Sequence, residues 1–385
     1  GATSIPQFQG SAAQGKGVQG AGAGGSGGPA AKGVQAPAPP KRKPIASIVI
    51  LTWNQKELTE KLLRSLETTT KVPHEVIVVD NGSTDGSPDT IRRWSAQPNV
   101  RIFLLDANTG FTGGNNLAFR HARGEWLALL NNDAVAEPDW LARLVARGNP
   151  AARIGMLGGK ILLTGTPGVI DKAGHLIWPD GQNRGRGTGE ADRGQYDQEE
   201  EILWPDGCAA LYHRELITQT GGFDDAFFAY GDDADLGLRA RLLGWRAWYV
   251  PQAVVHHHHS ASAGAFSPNK ILLVERNRLL LALKNFPPGL LVQNPYWTLR
   301  RYLWLAWGAV SRTGTSGRFV REHSRFRLLA VLVRAYAEAF RLMPHVLRER
   351  RRIQRNRRLT APEVAALLRR FRIDVRELTL KGAHR

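Results

Sequence analysis

Cysteine is almost missing from this chain. Cys208 is the single one in 385 residues, so no disulfide can close within the chain. That fits a reducing compartment, or one in which disulfides are not used. Long hydrophobic runs are missing as well: no stretch reaches the roughly 20 apolar residues of a spanning helix. The N-terminus has no apolar core of a leader peptide, and the sequence opens on Gly1 rather than Met, as a processed start would. Acidic residues are in deficit, 34 against 52 Lys and Arg, for a formal net charge of +18. No internal repeat and no recognised nucleic-acid motif occurs.

The charge that is present is unevenly placed. Residues 1–44 carry five basic residues and no acids, and residues 266–385 carry 26 basic against 7 acidic; residues 45–265 carry 21 basic against 27 acidic. The middle of a basic chain is therefore acidic. Residues 1–44, rich in Gly, Ala, Gln and Pro, are too poor in apolar groups to order themselves and are expected to be a disordered tail.

From Ile45 an alternation begins. "IASIVILTW", "HEVIVVD", "VRIFLLD" and "EWLALLNND" are short apolar strands, separated by "QKELTEKLLRSLETT", "DTIRRWSAQ" and "TGGNNLAFRHAR", which carry helical spacing. Such alternation predicts a parallel α/β sheet, whose ligands bind beyond the carboxyl ends of the strands. Thr52–Asn54, Asp80–Ser83 and Asn131–Asp133 all fall there. "RIGMLGGKILL" and "GVIDKAGHLIW" read as further strands, "GQNRGRGTGEADRGQYDQEEE" as a polar mobile loop, and "CAALYHRELITQTGGF" as a strand, a short helix and a Gly turn. After residue 266 the chain reads as helical and basic.

Four clusters can carry chemistry. Asp80, in "VVDNGSTDG", can accept hydrogen bonds from a base or ribose, although an Asp-Asn-Gly turn closing a strand is equally ordinary. Asp133, in "LLNNDAV", can hold a hard divalent cation against a diphosphate, or simply cap a turn. Asp232, Asp233 and Asp235 open an amphipathic helix. Mutual repulsion raises the pKa of clustered carboxylates and suits one to be a base; capping accounts for one or two of the three. In "VVHHHHSAS", one of His256–His259 can complete a site around Asp133.

In order and spacing, "SIVILTWNQKELTEKLLRSL", "EVIVVDNGSTDGS", "NTGFTGGNNLAFRHARGEWLALLNNDAV", "GGFDDAFFAYGDDADLGLRARLLGW" and "VPQAVVHHHHSAS" resemble the inverting family 2 glycosyltransferases, near their rhamnosyltransferase-like and galactofuranosyltransferase-like branch. The resemblance implies a GT-A fold, a Rossmann-like mixed sheet flanked by helices, over residues 45–265. The basic helical extension, 266–385, follows it. It implies donor contacts from Thr52, Trp53, Asn54, Asp80, Asn81, Asn108, Gly110, Gly113, Asn115 and Asn132. It implies a cation, Mg²⁺ or Mn²⁺, on Asp133 and His257, with His256 and His258 as rivals. Asn131 stands where the family's metal motif has its first acid. Asp233 would be the base and Asp232 an acceptor ligand, with Trp204, Gly207 and Cys208 lining the acceptor side.

The partners so implied are a nucleoside-diphosphate sugar, dTDP-rhamnose or a UDP-sugar, and a glycan or lipid-linked acceptor used in cell-surface polysaccharide synthesis. The Trp-, Leu- and Arg-rich helices after 266 suit an anionic membrane surface. The expected location is therefore cytoplasmic, at the inner face of the membrane. The competing readings are a catalytically inactive sugar-nucleotide-binding scaffold and, for "RERRRIQRNRR", a basic nucleic-acid-binding protein; no nucleic-acid partner is expected, because the core is acidic.

Overall fold

The apolar runs become strands because their side chains alternate between two buried faces. Ile48 and Ile50 pack on one side of the sheet with Leu62, Leu63 and Leu66, whereas Val49 packs on the other with Leu117, Ala118 and Phe119. The protein is described here by a computed structural model covering residues 32–33, 43–67, 71–258, 267–314, 316–317, 319 and 324–381. The expected tail, 1–44, lies outside the described residues except for β1 (Lys32–Gly33) and the last two positions.

The main sheet contains β2 (Ala46–Thr52), β3 (His74–Asp80), β4 (Val100–Leu104) and β5 (Trp126–Leu130) in parallel, as the alternation predicts. Its second half is mixed. β6 (Ala134–Ala136), β7 (Ile154–Leu163), β8 (Ile170–Lys172), β11 (Glu200–Ile202), β12 (Ala209–His213) and β13 (Arg246–His257) complete it. The order is β1-β4-β3-β2-β5-β12-β7-β13-β11, with β6 on β13 and β8 on β7. β9 (His175–Ile177) and β10 (Asn183–Gly185) form a separate antiparallel ribbon.

Helices cover both faces. α1 (Lys56–Glu67), α2 (Ser87–Arg92) and α4 (Trp140–Arg147) bury Leu62, Ile91 and Leu144 on one side. α3 (Gly110–His121), α5 (Arg214–Thr220) and α6 (Asp232–Leu242) bury Leu117, Leu216 and Leu236 on the other.

Two local expectations are revised. The segment expected to be a mobile loop is built into the fold: it supplies β10 and β11, and Lys160 pairs with both Asp192 and Asp197. Polar composition hides this order because the segment is held by charge pairs rather than by an apolar stripe. α6, in turn, is not half-exposed. Its inner side joins the sheet core, and Ala234, Leu238 and Leu242 on its outer side join a second core with Leu280 and Leu281 of α7 (Pro268–Asn285).

The C-terminal region therefore packs partly onto the sheet domain. It continues as α8 (Pro288–Ser311), α9 (Arg325–Arg341), α10 (Met343–Asn356), α11 (Ala361–Arg370) and α12 (Val375–Leu380). α10 and α11 contribute Val346, Ile353, Val364 and Leu368 to the outer core. α7 and α8 are fixed by a buried ionic cluster, in which Arg301 reaches both Glu275 and Asp180, and Arg278 reaches Glu275.

Candidate active site

One sheet edge gathers the chemistry. β2, β3, β5 and β13 run the same way and end at Thr52, Asp80, Leu130 and His257, while antiparallel β12 begins there, immediately after Gly207 and Cys208.

At the β3 end, Asp80 is buried. Its Oδ2 accepts from the Ser83 amide at 3.0 Å, and its Oδ1 is buried with no hydrogen-bond partner among the described residues. Burial raises the Asp80 pKa, with Asp85 adding to the effect and Ser83 opposing it. A buried oxygen without a donor at the end of a strand is what a nucleoside N–H or O–H would satisfy.

Several of the expected donor ligands turn out to shape the cleft. The Asn81 amide is fully engaged: Nδ2 donates to Asn108 Oδ1 and the Gly110 carbonyl, while Oδ1 accepts from Thr109. It clamps the 108–110 loop over the strand ends. Asn54, at φ 52°, accepts at Oδ1 from the Thr84 amide at 2.7 Å and donates its own backbone amide to Ser83 Oγ at 2.9 Å. Asn132 Nδ2 donates toward Thr52 and Gln55, tying the β5 turn to the start of α1. Asn115 donates to the Phe111 carbonyl within α3. Gly110 opens α3 at φ +77°, and a Cβ there would fall 2.4 Å from the Phe228 carbonyl. Glycine is required where these two loops cross. Gly113 lies one turn further along, against Thr109, and Trp53 is half-buried at the β2 end.

Asp133 and His257 come together. β13 pairs with β6 so that His257 stands opposite Ala134, which brings His257 Nε2 to 3.2 Å from Asp133 Oδ1. The register thus selects His257 from the histidine run. His256 instead faces Glu137 on a more exposed side, His258 donates its amide to the Asp133 carbonyl, and His259 lies outside the described residues. On its other nitrogen, His257 Nδ1 lies 2.8 Å from Asp171 Oδ2. A carboxylate behind a histidine is the arrangement that fixes tautomer and ring orientation in metal sites. An acidic oxygen and a neutral imidazole nitrogen are also a donor set that divalent cations accept. The residues present therefore fit such an ion.

From Asp171 the polar chain continues. Neighbouring Lys172 places Nζ 2.8 Å from Asp206 Oδ2. Asp206 meets His175 Nε2 at 2.8 Å, and His175 Nε2 lies 3.6 Å from Asp233 Oδ2. Donor atoms of His175, Asp206 and Asp233 lie within 4.8 Å of one another, close enough to hold a cation as well. Lys172 already brings positive charge to this cluster. Burial works against the Lys172 ammonium, yet Asp171 and Asp206 outweigh it and raise its pKa. Burial likewise pushes Asp206 up, but Lys172 and His175 hold it well below the ordinary range.

Asp232 and Asp233 form the first turn of α6, behind Gly231 at φ 74°. Burial, reinforced by Asp233, drives the Asp232 pKa far up. Burial also raises Asp233, with His175 pulling the other way. Asp233 Oδ2 accepts from the Gly207 amide at 3.2 Å, so the "WPDGC" turn is physically joined to the Asp232–Asp233 pair. Within that turn Trp204 is fully buried and stacks on His175 at 5.7 Å, and Cys208 is buried. Asp235, the third carboxylate, faces away from the site. Lys284, Arg239 and Asn285 all bond to it, and against the upward push of burial they keep its pKa low. It joins α6 to α7.

Sequence reading missed Asp171, Lys172 and His175, and did not single out Asp206 within "WPDGC". The signal for the first three was the polar positions of "DKAGH", interrupting what otherwise reads as apolar strand.

The glycosyl transferase family 2 model matches residues 47–152. An N-acetylglucosaminyl-diphospho-decaprenol L-rhamnosyltransferase of Mycobacterium tuberculosis is 29% identical over 281 residues, which cover 66% of this chain and 89% of that protein. An O-antigen biosynthesis protein of Myxococcus xanthus is 31% identical over 242 residues, covering 59% of this chain but 18% of that much longer one. Among solved structures, GalNAc-T7 with UDP, GalNAc and Mn²⁺ superimposes with a TM-score of 0.52 at 15% identity, over 64% of this chain and 48% of that one. That likeness bears on the fold alone. Residues 47–152 are thus similar to glycosyl transferase family 2 domains, within a chain that has the GT-A fold.

Proposed function

We propose that this protein is an inverting glycosyltransferase, moving a sugar from a nucleoside-diphosphate sugar of the dTDP-rhamnose or UDP-sugar type to a hydroxyl of a glycan or lipid-linked acceptor. The observation that carries the reading is the continuous polar chain from Asp133 through His257, Asp171, Lys172, Asp206 and His175 to Asp233. On this reading Asp133 and His257, as cation ligands, and Asp233, a carboxylate with a raised pKa, belong to one site. The rhamnosyltransferase relative supports a lipid-diphosphate acceptor, and the O-antigen relative a role in cell-surface polysaccharide synthesis. A lipid-linked acceptor implies work at the cytoplasmic face of the membrane.

In this reading Asp80 Oδ1 accepts from the nucleoside, and the 108–110 loop, clamped by Asn81, closes over it. Asp133 and His257 would hold Mg²⁺ or Mn²⁺, which when bound neutralises charge on the departing diphosphate. The acceptor hydroxyl oxygen forms a bond to the anomeric carbon as the bond to the diphosphate oxygen breaks. Asp233 takes the hydroxyl proton, and inversion follows from attack opposite the leaving group. The Gly207 amide and His175 orient the Asp233 carboxylate, and Asp232 faces the acceptor.

The test is a sugar-nucleotide panel with Mg²⁺ or Mn²⁺ and a lipid extract, scoring transfer and release of nucleoside diphosphate. Asp233→Asn should lower kcat by about 10²- to 10⁴-fold while leaving the donor KM within a few-fold. Wild-type-like turnover by that variant would remove Asp233 from its role. Donor binding without turnover by the wild type would favour a scaffold.

A further inference from the structure

The C-terminal helices leave a large apolar surface uncovered. On α8, Val292, Tyr296, Leu299, Leu303, Trp307 and Val310 are each more than half exposed. They recur at intervals of three and four residues, which at 3.6 residues per turn confines them to an arc of about 80°. From Val292 to Val310 the stripe runs about 27 Å along the helix.

α9 repeats the pattern. Phe326, Leu329, Val333 and Phe340 are each more than 60% exposed and share one face of that helix. Exposed Arg327, Arg334 and Arg341 recur every seven residues along its flank. The two helices are joined where Tyr302 of α8 and Tyr336 of α9 are hydrogen-bonded through their hydroxyls at 3.1 Å, with Leu303 and Val333 within one turn of those tyrosines in sequence. No helix among the described residues is long and apolar enough to cross a membrane.

We propose that the paired faces of α8 and α9 are a docking platform for an anionic lipid bilayer, with the apolar stripes entering the headgroup boundary and the flanking arginines meeting lipid phosphates. The charge supports a bilayer over a protein partner. Residues 266–385 carry 26 basic against 7 acidic residues, and a helix lying in an anionic interface wants an apolar stripe edged by arginine. Two aromatic residues on the α8 stripe, Tyr296 and Trp307, are of the types that prefer the interface. The reading rests on the proposed function only for its purpose, delivery of a lipid-linked acceptor to the sheet edge; the docking itself needs no turnover.

The full chain should co-sediment with phosphatidylcholine vesicles that contain phosphatidylglycerol, and at least tenfold less with pure phosphatidylcholine. Leu303→Glu combined with Val333→Glu should lower the partition at least tenfold with an unchanged melting temperature. Arg327→Gln, Arg334→Gln and Arg341→Gln together should lower it and flatten its salt dependence. Vesicle binding indifferent to the Glu pair would overturn the platform, as would failure to bind anionic vesicles. So would a dimer, seen by light scattering, that the Glu pair dissolves, since a second copy would then own the surface. Donor-derived nucleoside diphosphate release, assayed without vesicles, separates the two readings: its loss in the wild type counts against the enzyme, and vesicle binding still judges the platform.

Discussion

Asp171 backs His257: Oδ2 of the first lies 2.8 Å from Nδ1 of the second, leaving His257 Nε2 directed at Asp133. The pair spans 86 positions of sequence and depends on β8 packing beside β7, whose parallel neighbour β13 carries His257. An imidazole held in this way has its ring orientation fixed, with Nε2 aimed at Asp133.

Replacing Asp171 with Asn keeps the shape but removes the charge that favours the required tautomer. Loss of such a partner typically costs 10- to 100-fold in metal affinity. The expected outcome is a 10- to 100-fold rise in the Mn²⁺ concentration needed for half-maximal turnover, matched by weaker Mn²⁺ binding in calorimetry, with the donor KM at saturating metal little changed. Unaltered Mn²⁺ binding would show that Asp171 has only a packing role.

Asp80 offers a different test, because its Oδ1 has no donor among the described residues. If a nucleoside N–H or hydroxyl supplies one, Asp80→Asn replaces a charged acceptor by a neutral amide at the cost of a charge-assisted bond, about 1.5–3 kcal/mol. Nucleoside diphosphate should then bind roughly 10- to 100-fold more weakly. Because burial raises the Asp80 pKa, wild-type binding should also weaken at a pH somewhat above the ordinary Asp range, as the carboxylate takes up its proton, and the Asn variant should not show that limb. Equal affinity of the two proteins would place the nucleoside elsewhere.

How much of this was legible in the sequence differs from residue to residue. The ends of β2, β3 and β5 could be read directly, because short apolar runs closed by Thr, Asp and Asn announce both strand and edge. Asp133 stood out for the same reason, and Asp233 because it falls in a cluster of carboxylates opening a helix. His257 could not be separated from its neighbours by residue type, since only the register against β6 distinguishes it. Asp171, Lys172 and His175 were hidden because β8 and β9 are three residues each, too short for periodicity to show which side chains turn inward; Asp206 sits in the turn before β12, where no periodicity applies. Asp235 looked like part of the site. Its real partners, Lys284 and Asn285, lie about fifty residues away on a helix whose packing the local pattern does not reveal.

Stability in acid should report on the junction between α7 and α8. Glu275 is buried there, and Arg301 contacts both of its carboxylate oxygens at 2.6 and 2.9 Å while Arg278 adds a third contact. Burial would raise its pKa, but Arg301 and Arg278 prevail and hold it at about 2, against an ordinary 4.5. A carboxyl depressed in the folded state binds fewer protons folded than unfolded between those two values, so stability rises with pH across that window. The contribution, on the order of 3 kcal/mol, is complete above about 4.5 and is lost as the pH falls towards 2. Glu275→Gln should therefore lower the melting temperature by several degrees at pH 7, where it also leaves Arg301 short of a counter-charge. The gap between wild type and variant should narrow steadily below pH 4.5. A gap that stays constant with pH would mean that Glu275 stabilises the junction through packing rather than through its charge.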